Sequence, residues 1–454
     1  MTVPLSHEVD KGTLKRVIAA ASIGNFVEWF DFASYGFLAT IITREFFPSS
    51  TLTVGLLKTF AVFAVAFAFR PVGGIFFGVI GDRIGRKRTL ALTILLMAGA
   101  TTIIGLLPTA ASIGYWAPLL LTIVRCVQGF SAGGEYAGAC AYVMEHAPNR
   151  RRAFYGSFVP VSTFISFAGA AIVAFALESV LPSSAMNSWG WRVPFLVAAP
   201  VGLIGLYLRL NLQETPAFKA LQERGQVAHA PLVDTLRSQS GNILKLGAFI
   251  SVTALSFYTF TTYFATYLQV VGKLSTETAL LVTVIALCLA AALCPLAGLL
   301  SDLVGRRATI FGTCLFIILT VYPSFALGGS GELFESLIGV GILAVGAVLS
   351  GVVTAPLLSE VFATRTRYTA SAITYNLAFT LFGGTAPLVA TWLISKTGDD
   401  LAPAYYLIAI SLLAMLGGLA LHETSKSSLH ALEPDRAKER QVGECAAAPT
   451  GASS

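Results

Sequence analysis

Charge is what this chain has least of. Asp, Glu, Lys and Arg make up only 12% of its 454 residues, whereas about 25% is usual in soluble globular domains. With 55% hydrophobic residues and a mean hydropathy of +0.74, a soluble globular or disordered chain is excluded and a bilayer is the natural solvent. Histidine (5) and cysteine (6) are sparse too. No nucleophile–base set, metal cluster or phosphate-cradling loop is spelled out, which disfavours a membrane enzyme and leaves no metal or cofactor to expect. Gly133-Gly134 and Gly383-Gly384 read as packing glycines on apolar helices. His146, beside Glu145 at a helix end, reads as part of a charge cluster and not as a ligand. Cys126, Cys140, Cys288, Cys294 and Cys314 fall inside apolar runs without metal-ligand spacing and read as reduced core residues. The last, Cys445, lies in a polar tail.

What the chain has is long apolar runs. About 20 mostly apolar residues cross a hydrocarbon core of about 30 Å as a helix, and twelve such spans can be placed: 17–42, 56–80, 89–110, 115–144, 153–181, 191–211, 243–271, 277–300, 308–327, 333–358, 369–396 and 402–422. The expected fold class is therefore all-α integral membrane, with twelve transmembrane helices in two pseudo-symmetric six-helix bundles. In outline, an N-terminal arm (1–16) precedes a first bundle (17–211), a linker (212–242), a second bundle (243–422) and a tail (423–454). The linker is expected to hold one short amphipathic helix on the membrane surface, and the tail to be disordered.

Topology follows from the cations. With both termini inside, inner segments hold 23 of the 30 Lys and Arg, and outer segments only Arg44, Lys58, Lys273 and Lys396. Arg70, Arg125 and Arg192 lie within or at the edge of spans. This positive-inside bias places both termini in the cytoplasm, so the net charge of +6 reflects topology and lipid contact, with no nucleic acid implied. The first run contains Glu28 and Asp31 and is longer than a signal-peptide core, so it reads as an uncleaved span.

The two halves repeat. Gly78, Asp82, Arg83, Gly85, Arg86 and Lys87 form a basic loop that returns as Gly298, Asp302, Gly305, Arg306 and Arg307, each matched position displaced by 220 residues. A second match, Glu145, Arg150 and Arg152 against Glu360, Arg365 and Arg367, is displaced by 215. These clusters follow the second and fourth spans of each half, where acids and arginines can pair across helix ends as a cytoplasmic gate. Charges that only fix topology are the alternative.

Ionisable residues inside spans are costly in lipid and must face a partner or a wet cavity. In span one, Glu28, Asp31 and Tyr35 share a helical face with Asn25 near its edge. Two close carboxylates in low dielectric suit a proton site, while an ion pair that only fixes packing is the other reading. In span four, Arg125 and Glu135 stand about 15 Å apart along the helix and cannot pair with each other. Glu28 or Asp31 is the natural partner for Arg125. In span two, Arg70 precedes Pro71, a kink site, and its guanidinium can grip a carboxylate or a structural acid. Arg192 is placed to snorkel at the outer end of span six. Tyr258, Tyr263 and Tyr267 in span seven, and Tyr375 and Asn376 in span eleven, are candidates to line a substrate cavity, or to pack.

The repeated loop resembles the signature of the major facilitator superfamily. Four further blocks, Gly24 to Phe32, Arg70 to Gly74, Arg125 to Tyr136 and Trp189 to Phe195, resemble its metabolite:proton symporter branch. That branch includes the proline/betaine, α-ketoglutarate, citrate and shikimate transporters of bacteria. The resemblance implies a monomeric, multi-pass transporter of the bacterial inner membrane, driven by a proton gradient without cofactors, that imports a small carboxylate-bearing metabolite by alternating access. It assigns Arg125 to proton coupling, a role for which Glu28, Asp31 and Glu135 are candidates on the separate ground that they are acids inside spans. On substrate the likeness divides: Leu203 to Arg209, Glu214 to Phe218 and Pro403 to Leu407 resemble the proline/betaine side, and Phe257 to Tyr263 the α-ketoglutarate side. A proton-independent facilitator and an osmolyte transporter or sensor remain open, although the tail lacks the heptads of osmosensing members.

Overall fold

The computed structural model describes residues 11–48, 52–211, 214, 216–223, 231–426 and 429. Expectations for the tip of the N-terminal arm and for most of the tail fall outside them. Among the described residues, twelve long helices run in two bundles. The first six are Lys11–Phe37, Leu52–Ile84, Arg86–Leu106, Trp116–His146, Phe158–Val180 and Val193–Leu210. The second six are Ser240–Val270, Thr276–Val304, Arg306–Gly328, Leu333–Glu360, Arg367–Thr397 and Ala402–Leu419.

Ten of the long helices among the described residues are apolar enough to cross a membrane. The other two, spans one and four, are those that carry Glu28 and Asp31, and Arg125 and Glu135. In place of one run over 17–42, span one ends at Phe37 and the short helix Ala39–Phe46 follows. The described residues of the linker hold two short helices, Pro216–Glu223 and Pro231–Ser238, where one was expected. Each opens on proline, whose missing N–H costs nothing in a first turn.

Packing inside the first half brings spans two and four, three and six, and one and five together; the halves meet where span eleven lies on span two and span eight on span five. Small residues set the closest approach. A Cβ on Gly129 would stand 1.9 Å from the Ala66 carbonyl oxygen, and one on Gly133 would stand 2.2 Å from that of Arg70. The glycines of span four are thus packing surfaces against span two.

Spans seven and eleven, which pack on each other, each contain a π-turn, Thr259–Tyr263 and Phe379–Gly383. Such turns recur at functional sites. Span two runs unbroken through Pro71. Proline has no N–H for the carbonyl four residues earlier, and the Phe67 carbonyl instead accepts from Thr380 Oγ1 at 3.1 Å. A backbone group that lipid cannot satisfy is thereby satisfied by the other half of the molecule.

Candidate functional site

Apart from the charges at its basic end, the described residues of the first bundle hold three buried ion pairs. Arg125 Nη1 lies 2.9 Å from Asp31 Oδ2. Gln128 Nε2 donates to the same Asp31 oxygen and to Thr101 Oγ1, both at 2.8 Å, and Gln128 Oε1 accepts from Arg125 at 2.8 Å. The Arg125 guanidinium sits over the Tyr35 ring at 4.0 Å, and Tyr35 Oη donates to the Thr59 carbonyl at 3.0 Å. Asp31, not Glu28, is therefore the partner of Arg125, and Tyr35 belongs to that pair.

The second pair is Arg70 with Glu28, Nη1 to Oε1 2.9 Å, both fully buried. Here the geometry falls short of directed hydrogen bonds. Both Glu28 oxygens, Arg70 Nη1 and Nη2, and Tyr258 Oη are buried with no hydrogen-bond partner. Arg70 Nε reaches Asn376 Oδ1 of span eleven at 3.4 Å, and Asn376 Nδ2 donates to the Gly133 and Ala372 carbonyls. Trp29, Phe32 and Phe67 surround the guanidinium at 5.5 to 5.6 Å. A fully buried ion pair with idle donors and acceptors is the kind that a ligand can improve.

The third pair corrects an expectation. Glu135 is joined to Arg209, which sequence counting placed among the charges of the central loop. Thr93 Oγ1 donates to Glu135 at 2.7 Å, and Arg209 also donates to the Leu90 carbonyl. Gly24 makes room, since a Cβ there would collide with both partners. The two carboxylates of span one, expected to act on each other, are instead held by separate arginines.

Other candidates scatter. Asn25 is spent on span five, donating to the Val159 carbonyl, Ser162 and Thr163 at 2.7 to 3.1 Å and accepting from Trp29 Nε1. Tyr375 stacks on Tyr136 at 4.4 Å and on Phe379 at 4.0 Å, near Arg70. Tyr263 and Tyr267 lie elsewhere: Tyr267 packs on Phe325 of span nine and donates to its carbonyl. Arg192, at 2.9 and 2.6 Å, donates to the Gly105 and Leu107 carbonyls, capping the end of span three.

At the basic face the duplication becomes geometry. Asp82 accepts from the Tyr368 and Thr369 backbone N–H groups at 3.2 and 2.8 Å, capping span eleven. Asp302 does the same for Ala153 and Phe154 ahead of span five, at 3.0 and 2.9 Å. Each aspartate thus caps a helix of the opposite half. Arg367 reaches Glu145 at 2.8 Å, with Arg86 3.6 Å from the same acid. In the mirror arrangement Arg152 and Arg306 hold Glu360 at 3.3 and 3.0 Å. Gly78 lets span two approach the Thr369 backbone. Arg83 and Arg150 face outward, and Arg365 pairs at the surface with Asp234 of the linker.

Two acids of this network escaped the sequence reading. Glu214 accepts from the backbone N–H groups of Arg86 and Lys87 at 3.0 and 3.3 Å, and Glu423 from those of Arg306 and Arg307 at 3.0 Å. The signal was present as a third repeat, Leu212-Gln213-Glu214-Thr215 against Leu421-His422-Glu423-Thr424, displaced by 209 residues.

The chain matches the sugar (and other) transporter family over residues 17–435. It is 35% identical to the proline/betaine transporter of Salmonella typhimurium over 94% of this chain and 87% of that one. It is 36% identical to the ectoine/proline transporter of Corynebacterium glutamicum over 94% and 88%. To a putative proline/betaine transporter of Staphylococcus aureus it is 41% identical over 94% and 92%. Among solved structures, a proton:xylose symporter of the major facilitator superfamily superposes with a TM-score of 0.73 at 19% identity, covering 93% of this chain and 98% of the other. Twelve helices in two bundles, a duplicated charge network and these likenesses agree: the chain belongs to the metabolite:proton symporter family of the major facilitator superfamily and is a multi-pass membrane transporter, not an enzyme.

Proposed function

We propose that this transporter imports a small carboxylate-bearing metabolite together with protons across the bacterial inner membrane, working as a monomer with both termini cytoplasmic. The observation that carries the reading is the Arg70–Glu28 pair, placed where spans one, two and eleven converge, with unused donors and acceptors on both partners. A substrate carboxylate takes the place of Glu28 on Arg70, and Glu28 accepts a proton as it leaves the cation. Arg125 and Asp31 form the second switch. Protonation of Asp31 removes the charge that holds Arg125, and Gln128 and Thr101 hold the acid in place meanwhile. Rocking of the halves then exposes the site to alternate faces. The paired caps at Asp82 and Asp302 and the crossed pairs at Glu145 and Glu360 close the basic, cytoplasmic face. The named relatives carry proline, betaine and ectoine, which favours zwitterionic osmolytes over di- and tricarboxylates.

The test is uptake in proteoliposomes under an imposed inward proton gradient. Proline, glycine betaine, α-ketoglutarate and citrate are compared with and without protonophore. Proton symport predicts accumulation of a zwitterion above equilibrium, abolished by protonophore. Equal levels in both conditions leave a facilitator.

A further inference from the structure

Between the halves lies a cavity of about 20 Å³ whose walls are rings. Trp29, Tyr136 and Phe164 line it from the first half, and Phe257, Tyr375 and Phe379 from the second. The remaining lining is Pro, Thr, Ala and Gly, with no charged side chain. We propose that this cavity is a binding site for the onium group of an N-alkylated zwitterion. The inference deepens the reading above and rests on its placement of the substrate carboxylate at Arg70.

The position supports it. Trp29 borders both regions, lining the cavity and lying 5.6 Å from the Arg70 guanidinium carbon. A ligand whose carboxylate reaches Arg70 therefore carries its other end to the rings. Aromatic faces are electron-rich and attract a cation, and they do so most effectively when its own hydration is weak. An N-alkylated ammonium meets that condition. A primary ammonium needs hydrogen-bond acceptors that ring faces lack, and a second carboxylate meets the negative faces of the rings.

A cavity of about 20 Å³ admits a water or two, so the rings must part for a ligand. They are arranged to do so. Tyr375 stacks between Tyr136 and Phe379, and Phe257 stands edge-on to Trp29 at 5.2 Å. Phe379 begins one π-turn and Phe257 lies two residues before the other, where the helix already departs from regular geometry. The rings that fill the space become its walls when they separate.

The experiment compares glycine betaine with 3,3-dimethylbutanoate, which has the same shape and carboxylate but carbon in place of the charged nitrogen. Competition against labelled betaine uptake is measured in proteoliposomes of the unaltered protein. The expected result is that the neutral isostere competes at least ten-fold more weakly than betaine, about the weight of one desolvated cation–π contact. Phe379→Leu is expected to weaken betaine about ten-fold and the isostere by less than about two-fold. Equal competition by the two compounds overturns the onium site while leaving carboxylate transport intact. Accumulation of citrate without any of betaine overturns the onium site and leaves the Arg70 reading standing. No accumulation of any carboxylate overturns both.

Discussion

Arg367, from the second half of the molecule, places Nη1 2.8 Å from Glu145 Oε1 of the first, with both side chains buried. Its counterpart, Arg152 with Glu360, crosses in the other direction at 3.3 Å. Because each pair joins the two halves, separating the halves at this face must expose or re-partner four charges. A buried pair is weak evidence of stability but a strong constraint on geometry, since removing one member strands the other. Together with the crossed caps at Asp82 and Asp302, it ties the two halves to each other at one face of the molecule.

Asp82→Ala is predicted to loosen that face. Loss of a charged cap costs about 1–2 kcal/mol, or roughly a five- to thirty-fold shift in an equilibrium. A cysteine introduced by Ala372→Cys, a fully buried position behind the cap, should then react with a maleimide from the basic side about five- to thirty-fold faster. Unchanged labelling removes Asp82 from the closure.

Asp31→Asn is predicted to uncouple transport. The amide keeps a hydrogen-bonding group beside Gln128 and Arg125 but cannot gain or lose a proton. Exchange of labelled for unlabelled substrate should persist, while gradient-driven accumulation falls to the equilibrium level. Retained accumulation would assign the proton elsewhere, with Glu28 the next acid to test.

Arg70→Lys is predicted to raise KM by about ten-fold or more, because a single ammonium replaces the planar fork that binds a carboxylate in two places. The replacement retains the charge opposite Glu28, so a structural role alone predicts near-normal KM. Steady-state uptake over a range of substrate concentrations separates the two.

Glu423 gives a pH prediction. Partial burial pushes its carboxyl upward, but the backbone N–H groups of Arg306, Ser425 and Arg307 outweigh this and hold it at about 2. Its ordinary value is 4.5. A folded-state value below the unfolded one means that the contribution to stability is complete above pH 4.5 and disappears as pH falls toward 2. Glu423→Gln should therefore lower the thermal midpoint at neutral pH, with the gap to the parent protein closing between pH 4.5 and 2. A gap independent of pH contradicts the capping role.

Gly85 and Gly305 should tolerate alanine unequally. Both have left-handed backbones, φ 105° and 93°, which cost any other residue about 1–3 kcal/mol. A Cβ at Gly85 would also meet Glu214 Oε2 at 2.1 Å, against 2.9 Å from Gly305 to Glu423 Oε2. Gly85→Ala is expected to be the more damaging in a thermal melt of purified protein. Equal effects would mean that backbone strain alone decides both.

The membrane class, the duplication and the acids and arginines that lie where lipid cannot tolerate them alone are all legible in the order of residues. These are local or periodic properties: apolar length fixes a span, and helical spacing fixes a face. Legible too was the membership of the basic clusters, because Arg152 and Arg367 recur at the same offset as Glu145 and Glu360. The shorter repeat around Glu214 and Glu423 was equally present and carried less contrast against its surroundings.

Who pairs with whom is set by the packing of the helices. Glu28, Asp31 and Glu135 face Arg70, Arg125 and Arg209, and several matchings satisfy charge. Helical periodicity says that Glu28 and Asp31 share a side of span one, yet three residues also separate them along the axis, enough to bring each beside a different neighbour. Whether Asn25 and Tyr267 meet a cavity or a packed helix likewise depends on the rotation of spans one and seven against their neighbours, which no single helix encodes. The crossing of the caps from each half to the other follows from the same cause: a repeat specifies equivalent residues, and the pseudo-symmetric docking of two bundles selects their partners.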